Sequence, residues 1–173
     1  MSISSSIQKS LLHDLSVAQH LNEKFKAEDA EWKPAENMRS TLQLMQYLTF
    51  IGKTFSQQFI NPPTDHEVAR TNYRNDAKFA GENVTFENFS EMIEKEKAEI
   101  TEAFSGISDS DLERMTYHPF SGDESTLFEA LQTVVKYVCA YRHQLFLYVK
   151  MCGAEVNTLN NWYGKDPAPK VAA

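Results

Sequence analysis

The chain has 173 residues, 42% of them hydrophobic, and a formal net charge of −7. This length is enough to bury the core of one domain without metal or disulfide staples. The negative charge argues against nucleic acid and anionic membrane surfaces as partners, because both attract positively charged proteins.

The N-terminal segment lacks the basic start, apolar run and cleavage site of a secretory signal peptide, and no apolar run approaches the ~18 residues that a membrane span requires. Cys139 and Cys152 are the only cysteines. On one straight helix they would lie about 20 Å apart, too far to form a disulfide with each other. We therefore expect a cytoplasmic protein with reduced thiols.

The first predicted helix runs from Ser4 or Ser5 to about Lys26, because apolar residues recur at spacings of three and four. A linker with the sequence Trp32-Lys33-Pro34 follows, and its proline favours an extended or turn geometry before the next helix. Trp32 either closes the end of the helical bundle or borders a pocket.

A second helix is predicted from about Ser40 to Phe59 or Ile60, where Asn61-Pro62-Pro63 ends it. Residues 61–83 show little periodicity, and they are too many for a tight turn between helices. The segment is typical of the long crossover connection found in some helical bundles.

A third helix is predicted to begin near Thr85, and residues 106–122 form a second irregular connection. The fourth helix, from about Ser125 to Gly153, is the longest periodic stretch and would be roughly 40 Å long. No segment predicts a sheet. The sequence therefore indicates an all-α four-helix bundle over residues 1–156 and a C-terminal extension over 157–173, whose last residues we expect to be flexible.

The fourth helix also carries the most informative motif, Tyr-Val-Cys-Ala-Tyr-Arg-His-Gln-Leu at residues 137–145. It resembles the last-helix signature of the DinB/YfiT-like four-helix-bundle family, which typically reads His-x-x-x-His-Arg-Gly-Gln-Leu. The opening of the second helix, the long crossover and the Trp-x-Pro segment are similar to the family as well. The resemblance implies the DinB-like fold.

The resemblance also implies a metal site, for which this chain lacks the usual ligands. Family members with a site hold a divalent metal such as zinc or nickel through three histidines, and all three matching positions here are tyrosine: Tyr47, Tyr137 and Tyr141. A one-residue shift would place Gln46 at the first position and would not restore an imidazole. Because a phenol with a pKa near 10 is a poor ligand, we expect no metal cofactor.

Three interpretations of the tyrosines remain. They fill the space of a lost metal pocket as packed core, they line a pocket that binds a small molecule, or one of them is an activated catalytic residue. The candidate ligand-binding residues at the family's metal position are Tyr47, Tyr137, Tyr141, Gln144 and Trp32.

The first functional hypothesis is accordingly a metal-free protein that binds a small ligand or acts as an interaction module. The alternative is a metal-dependent thiol transferase or hydrolase-like enzyme of the DinB/YfiT type with rearranged ligands, recruited from His66 or His118 in the connections. The family resemblance also suggests a homodimer. A small molecule is the expected partner in the first case and a substrate in the second.

Overall fold

The computed structural model describes residues 2–168, and it is an all-α bundle with one short hairpin. The helices are α1 (Ile3–Asn22), α2 (Thr41–Leu48), α3 (Ile51–Ile60), α4 (His66–Asn83), α5 (Phe89–Phe104), α6 (Leu127–Met151) and α7 (Thr158–Tyr163). The four-helix core consists of α1, the α2–α3 pair, α5 and α6. In it, α1 and α3 each pack against both α5 and α6. The predicted fold class is confirmed.

None of the helices within residues 2–168 combines the length and the apolar character that crossing a membrane would require. The longest of them, α6, begins at Leu127, two residues after the predicted start. Thr126 is its N-cap, and the side chains of Thr126 and Glu129 form a reciprocal capping box. Gly153 follows its last turn with φ of 90°, the left-handed conformation that favours glycine at a helix end.

The single second helix predicted from Ser40 to Ile60 is wrong: the chain breaks at Thr49–Phe50 and forms α2 and α3. The physical cause lies on α5. One carboxyl oxygen of Glu96, Oε1, accepts hydrogen bonds from the backbone N–H groups of Gly52 (2.9 Å) and Lys53 (3.1 Å). These are free N–H groups of the first turn of α3, so Glu96 caps this helix although Gly52 lies 44 residues before it in sequence.

The crossover between the second and third predicted helices is not irregular, because most of it is the helix α4. Asp65 caps its start by accepting a hydrogen bond from the N–H of Glu67 at 2.8 Å. Only Ala69 and Ala80 are buried on this helix. A polar helix with so narrow a buried stripe leaves little hydrophobic periodicity in the sequence.

The second connection contains a hairpin that was not predicted. Its strands, β1 (Met115–Tyr117) and β2 (Glu124–Thr126), pair antiparallel, with Thr116 opposite Ser125. The hydroxyl of the buried Thr116 donates a hydrogen bond to the carbonyl of Phe59 at 3.1 Å, which ties the hairpin to the end of α3. The hairpin loop, residues 118–123, is thereby held over the bundle.

The C-terminal α7 packs on the outside of α1 and α6. Its anchor is Arg142, which is 2% exposed and donates to the carboxylate of Asp14 on α1 at 3.0 Å and to the carbonyl of Asn161 on α7 at 2.7 Å. Beyond α7, Asp166 pairs with Lys24 at 2.6 Å. Residues 169–173, for which flexibility is predicted, lie outside the described residues.

Candidate functional site: an aromatic cavity

An aromatic cavity of about 380 Å³ lies where α2, α3, α4, α6 and the hairpin loop meet. Its volume falls in the range of small-molecule sites. Four tyrosines, two phenylalanines and one histidine line it: Tyr47, Phe55, Tyr73, His118, Phe120, Tyr137 and Tyr141.

The three tyrosines that replace the family's histidines all line this cavity. Tyr137 and Tyr141 lie one turn apart on α6, so both project from the same face of that helix. The ring of Tyr47, from α2, meets the ring of Tyr141 edge to face, with centroids 4.7 Å apart and an interplanar angle of 72°. Phe55 makes a similar contact with Tyr137 at 5.5 Å. Edge-to-face contacts of this kind stabilise the packing of the cavity wall.

Four further lining residues were not among the predicted site residues: Phe55, Tyr73, His118 and Phe120. Phe55 lies on the core face of α3, Tyr73 comes from the unpredicted helix α4, and the hairpin loop supplies the other two. The rings of Tyr73 and Phe120 are almost perpendicular, with centroids 5.3 Å apart. The sequence signal for Tyr73 and Phe120 was the presence of aromatic residues in the connections, and His118 had been considered only as a recruited metal ligand.

The hydroxyl of Tyr47 is a protonated phenol. Burial raises the pKa of Tyr47 far above its ordinary value, and the neighbouring phenols of Tyr73 and Tyr141 raise it further. A phenol in this environment is a hydrogen-bonding group, because forming the phenolate would place a charge among apolar rings. This arrangement gives no support to the interpretation of an activated catalytic tyrosine.

The histidine of the cavity is also neutral at physiological pH. Burial lowers the pKa of His118 below its ordinary value, an effect that the charge of Asp123 only partly opposes. Its Nδ1 accepts hydrogen bonds from the backbone N–H groups of Phe120 and Ser121, each at 3.3 Å. The neutral ring therefore carries its proton on Nε2.

Arg39, which immediately precedes the N-cap of α2, lies on two rings of the cavity wall. Its guanidinium carbon is 4.3 Å from the centroid of the Tyr47 ring and 5.5 Å from that of Tyr141. These are cation–π distances. The side chain is exposed to solvent, so the positive charge lies at the outer edge of the site.

The other two predicted site residues, Gln144 and Trp32, do not line the cavity and instead surround Tyr148. Gln144 donates a hydrogen bond from Nε2 to the Tyr148 hydroxyl at 2.9 Å, and this hydroxyl donates to the backbone carbonyl of Arg39 at 3.1 Å. The Trp32 ring packs edge to face on Tyr148 at 5.2 Å. Gln144 and Trp32 thus lie beside the cavity, and through Tyr148 they hold in place the segment that carries Arg39.

The donor groups of the cavity do not suit a divalent metal. They are phenols, of which Tyr47 is held protonated, and one imidazole, whereas zinc and nickel prefer several imidazoles, thiolates or carboxylates. His66, the second histidine considered as a recruited ligand, packs on the ring of Tyr117 at 5.4 Å and hydrogen-bonds the carbonyl of Pro119 at 2.9 Å. Throughout residues 2–168, no three His, Cys, Asp or Glu side chains are grouped so that they could hold a metal ion.

Comparisons with known proteins agree with this fold. No family model matches the sequence, and no curated protein matches it significantly. Among solved structures, the chain is similar to a DinB-like protein, YjoA, from Bacillus subtilis, with a TM-score of 0.67 and 18% sequence identity. The match covers 87% of this chain and 94% of the other. The chain therefore has the DinB-like four-helix-bundle fold that the resemblance implied.

Proposed function

We propose that this protein binds a small molecule in the aromatic cavity and does so without a metal. The observation that carries the proposal is the convergence of four tyrosines and one neutral histidine on a single cavity at the position where the resemblance implies a metal site. Packed core would have closed this space with side chains. A cavity with mostly apolar walls and a few hydrogen-bonding groups is typical of ligand sites, because the walls supply affinity and the polar groups supply orientation.

The polar groups are suited to binding. The phenol of Tyr47, whose pKa burial raises, and the imidazole of His118, whose pKa burial lowers, are uncharged at neutral pH. Neutral donors and acceptors on rigid aromatic side chains cost little conformational entropy to order. They can therefore orient a ligand that also fills the apolar part of the cavity.

A fragment screen by ligand-observed NMR on the full chain tests the proposal, with Phe120→Trp as the variant that fills the cavity. Fragments that bind the native protein should lose affinity at least about tenfold in this variant, a loss of about 1.4 kcal/mol. The matched control is Phe128→Trp, because Phe128 is 40% exposed on α6 and does not line the cavity. A screen without binders, or binders that Phe120→Trp leaves unaffected, would contradict the proposal.

The alternative of a metal-dependent transferase requires ligands that the cavity does not supply, since His118 is the one imidazole in its wall. Elemental analysis of protein purified without chelators separates the two functions. The proposal predicts substoichiometric zinc, nickel and iron. Stoichiometric metal that is lost in a His118→Gln variant would favour the enzyme instead.

A further inference from the structure

The aromatic cavity has the composition of a site for a positively charged group. All seven lining side chains are aromatic rings, and none of them is a carboxylate or an ammonium group. The faces of phenol and benzene rings carry partial negative charge, so that several rings around one space attract a cation. Rings reach this cavity from α2, α3, α4, α6 and the hairpin loop, and an occupant would therefore meet aromatic groups on several sides.

The structure also contains a cation on two of these rings. The guanidinium of Arg39 lies 4.3 Å from the centroid of Tyr47 and 5.5 Å from that of Tyr141. These contacts form at an exposed position, where water competes most strongly. The same two rings line the partly buried cavity, in which a cation–π contact is stronger because it is less screened.

Because the lining contains no acidic group, the cavity should prefer some kinds of cation to others. A primary ammonium is strongly hydrated and needs hydrogen-bond acceptors or a carboxylate to replace its water. A quaternary ammonium has no N–H group, and its charge is spread over apolar methyl groups that can pack directly on rings. Its methyl groups can therefore pack on the apolar rings while its positive charge is attracted to the negative faces of those rings.

We propose that the aromatic cavity binds the quaternary ammonium group of a small molecule such as a trimethylated amine. This inference rests on the proposed function, and it adds the chemical class of the ligand. The cavity of about 380 Å³ has room for a trimethylammonium head and part of the molecule attached to it. The tyrosine hydroxyls and His118 would then orient that remaining part.

The experiment compares choline with 3,3-dimethylbutan-1-ol, which has the same shape but carries a carbon in place of the charged nitrogen. Each is titrated into the full chain and followed by the NMR shifts of the aromatic protons. Choline should bind at least about tenfold more tightly, a difference of about 1.4 kcal/mol, because its charge makes cation–π contacts that the alcohol lacks.

The possible outcomes separate this inference from the proposed function. Equal or tighter binding of the alcohol would overturn the cation preference and leave a ligand-binding cavity in place. If neither compound shifts the aromatic protons while other fragments bind the cavity, the quaternary ammonium class is wrong. If nothing binds the cavity at all, the proposed function fails as well.

Substitutions in the cavity lining test whether the aromatic rings themselves bind the ammonium group. Tyr141→Phe keeps a ring and should retain choline affinity within about threefold, whereas Tyr141→Leu should lose about tenfold. Tyr163→Leu is the matched control, because Tyr163 is 60% exposed on α7 and outside the cavity. Arg39→Gln, which removes a competing positive charge from two of the rings, should strengthen choline binding a few-fold. A Tyr141→Leu variant with native choline affinity would overturn the proposal.

Discussion

The α2–α3 pair lies between two regions that hold polar groups in different ways. Toward α6 and the hairpin lies the partly buried aromatic cavity, where several hydroxyls share about 380 Å³ of open space. Toward α5 lies Glu96, a single carboxyl group that is 1% exposed and packed against the first turn of α3. The space beside Glu96 is much smaller, a cavity of about 110 Å³.

The contrast shows how the same core can hold a binding site and a structural polar group. At Glu96, Oε1 is satisfied by two backbone N–H groups, while Oε2 has no hydrogen-bond partner among residues 2–168. Burial raises the pKa of this carboxyl to about 8, against the opposing effect of those hydrogen bonds. At neutral pH this carboxyl group is therefore mostly protonated in the fold, and it caps the start of α3 as an uncharged acceptor.

Gly52→Ala should produce the largest effect, because it removes the space that Glu96 occupies. A Cβ atom on Gly52 would lie 2.8 Å from Oε1 of Glu96 and 3.1 Å from Cδ1 of Ile100. We expect a loss of roughly 3 kcal/mol in the free energy of unfolding, from overpacking and weakened hydrogen bonds. Urea denaturation followed by circular dichroism measures it.

The matched control for this variant is Gly81→Ala on α4, where an added Cβ meets nothing within 4 Å. Alanine favours a helix over glycine by about 1 kcal/mol, so this variant should be slightly more stable than the native protein. A Gly52→Ala protein that also gains stability would show that α5 does not press on α3 as described.

Glu96 should make the free energy of unfolding depend on pH. Its pKa is raised from 4.5 to about 8 on folding, so the folded state binds a proton that the unfolded state releases. This contribution to stability is fully present below pH 4.5 and is lost as the pH rises through about 8. Between about pH 6 and pH 7.5 the loss should be about 2 kcal/mol.

Glu96→Gln removes this titration, since an amide does not ionise in the range. The free energy of unfolding should therefore fall less steeply with pH in the variant than in the native protein over the same interval. Parallel pH profiles for the two proteins would mean that Glu96 does not titrate inside the fold.

Arg39→Gln should cost less, about 0.5 kcal/mol, because the contact that it removes is an exposed cation–π pair. The comparison variant is Arg74→Gln on α4, whose side chain is exposed and whose nearest described acidic partner, Glu67, is 4.0 Å away. It should be close to neutral. Equal losses in the two variants, measured by thermal denaturation, would show that stacking on Tyr47 contributes nothing.

The smallest effect is spectroscopic and concerns Tyr47 itself. Because burial and the adjacent phenols raise its pKa, Tyr47 should not ionise before the protein unfolds in alkali. The native protein and Tyr47→Phe should give the same tyrosinate absorbance curve up to the unfolding pH. A lower amplitude in the variant before that point would reveal an ionising Tyr47.

Much of the bundle could be predicted because its helices carry a regular apolar period, and α6 was placed to within two residues at each end. A common location for the three tyrosines was predicted from the family resemblance and from the one-turn spacing of Tyr137 and Tyr141, but whether they form packed core or line a pocket was left open. These are local patterns, and local patterns survive in a single sequence.

The features that could not be predicted depend on partners distant in sequence. The apolar period continues through Thr49 and Phe50, and the carboxyl group of Glu96, distant in sequence, favours a helix start after them. The aromatic residues of the connections, Tyr73 and Phe120, showed no period and became cavity walls only through their contact with each other and with the bundle. The helix α4 buries too little for its period to be visible.

That narrow buried stripe of α4 has a consequence for motion. The other helical walls of the cavity belong to the bundle core, but α4 is held by two buried alanines, Ala69 and Ala80, and by contacts such as Tyr73 on Phe120. Local opening free energies are smallest where few side chains are buried. We therefore expect the amides of α4 to exchange with deuterated solvent well before those of α6. Movement of α4 away from the bundle would then open the cavity for a molecule to enter and leave.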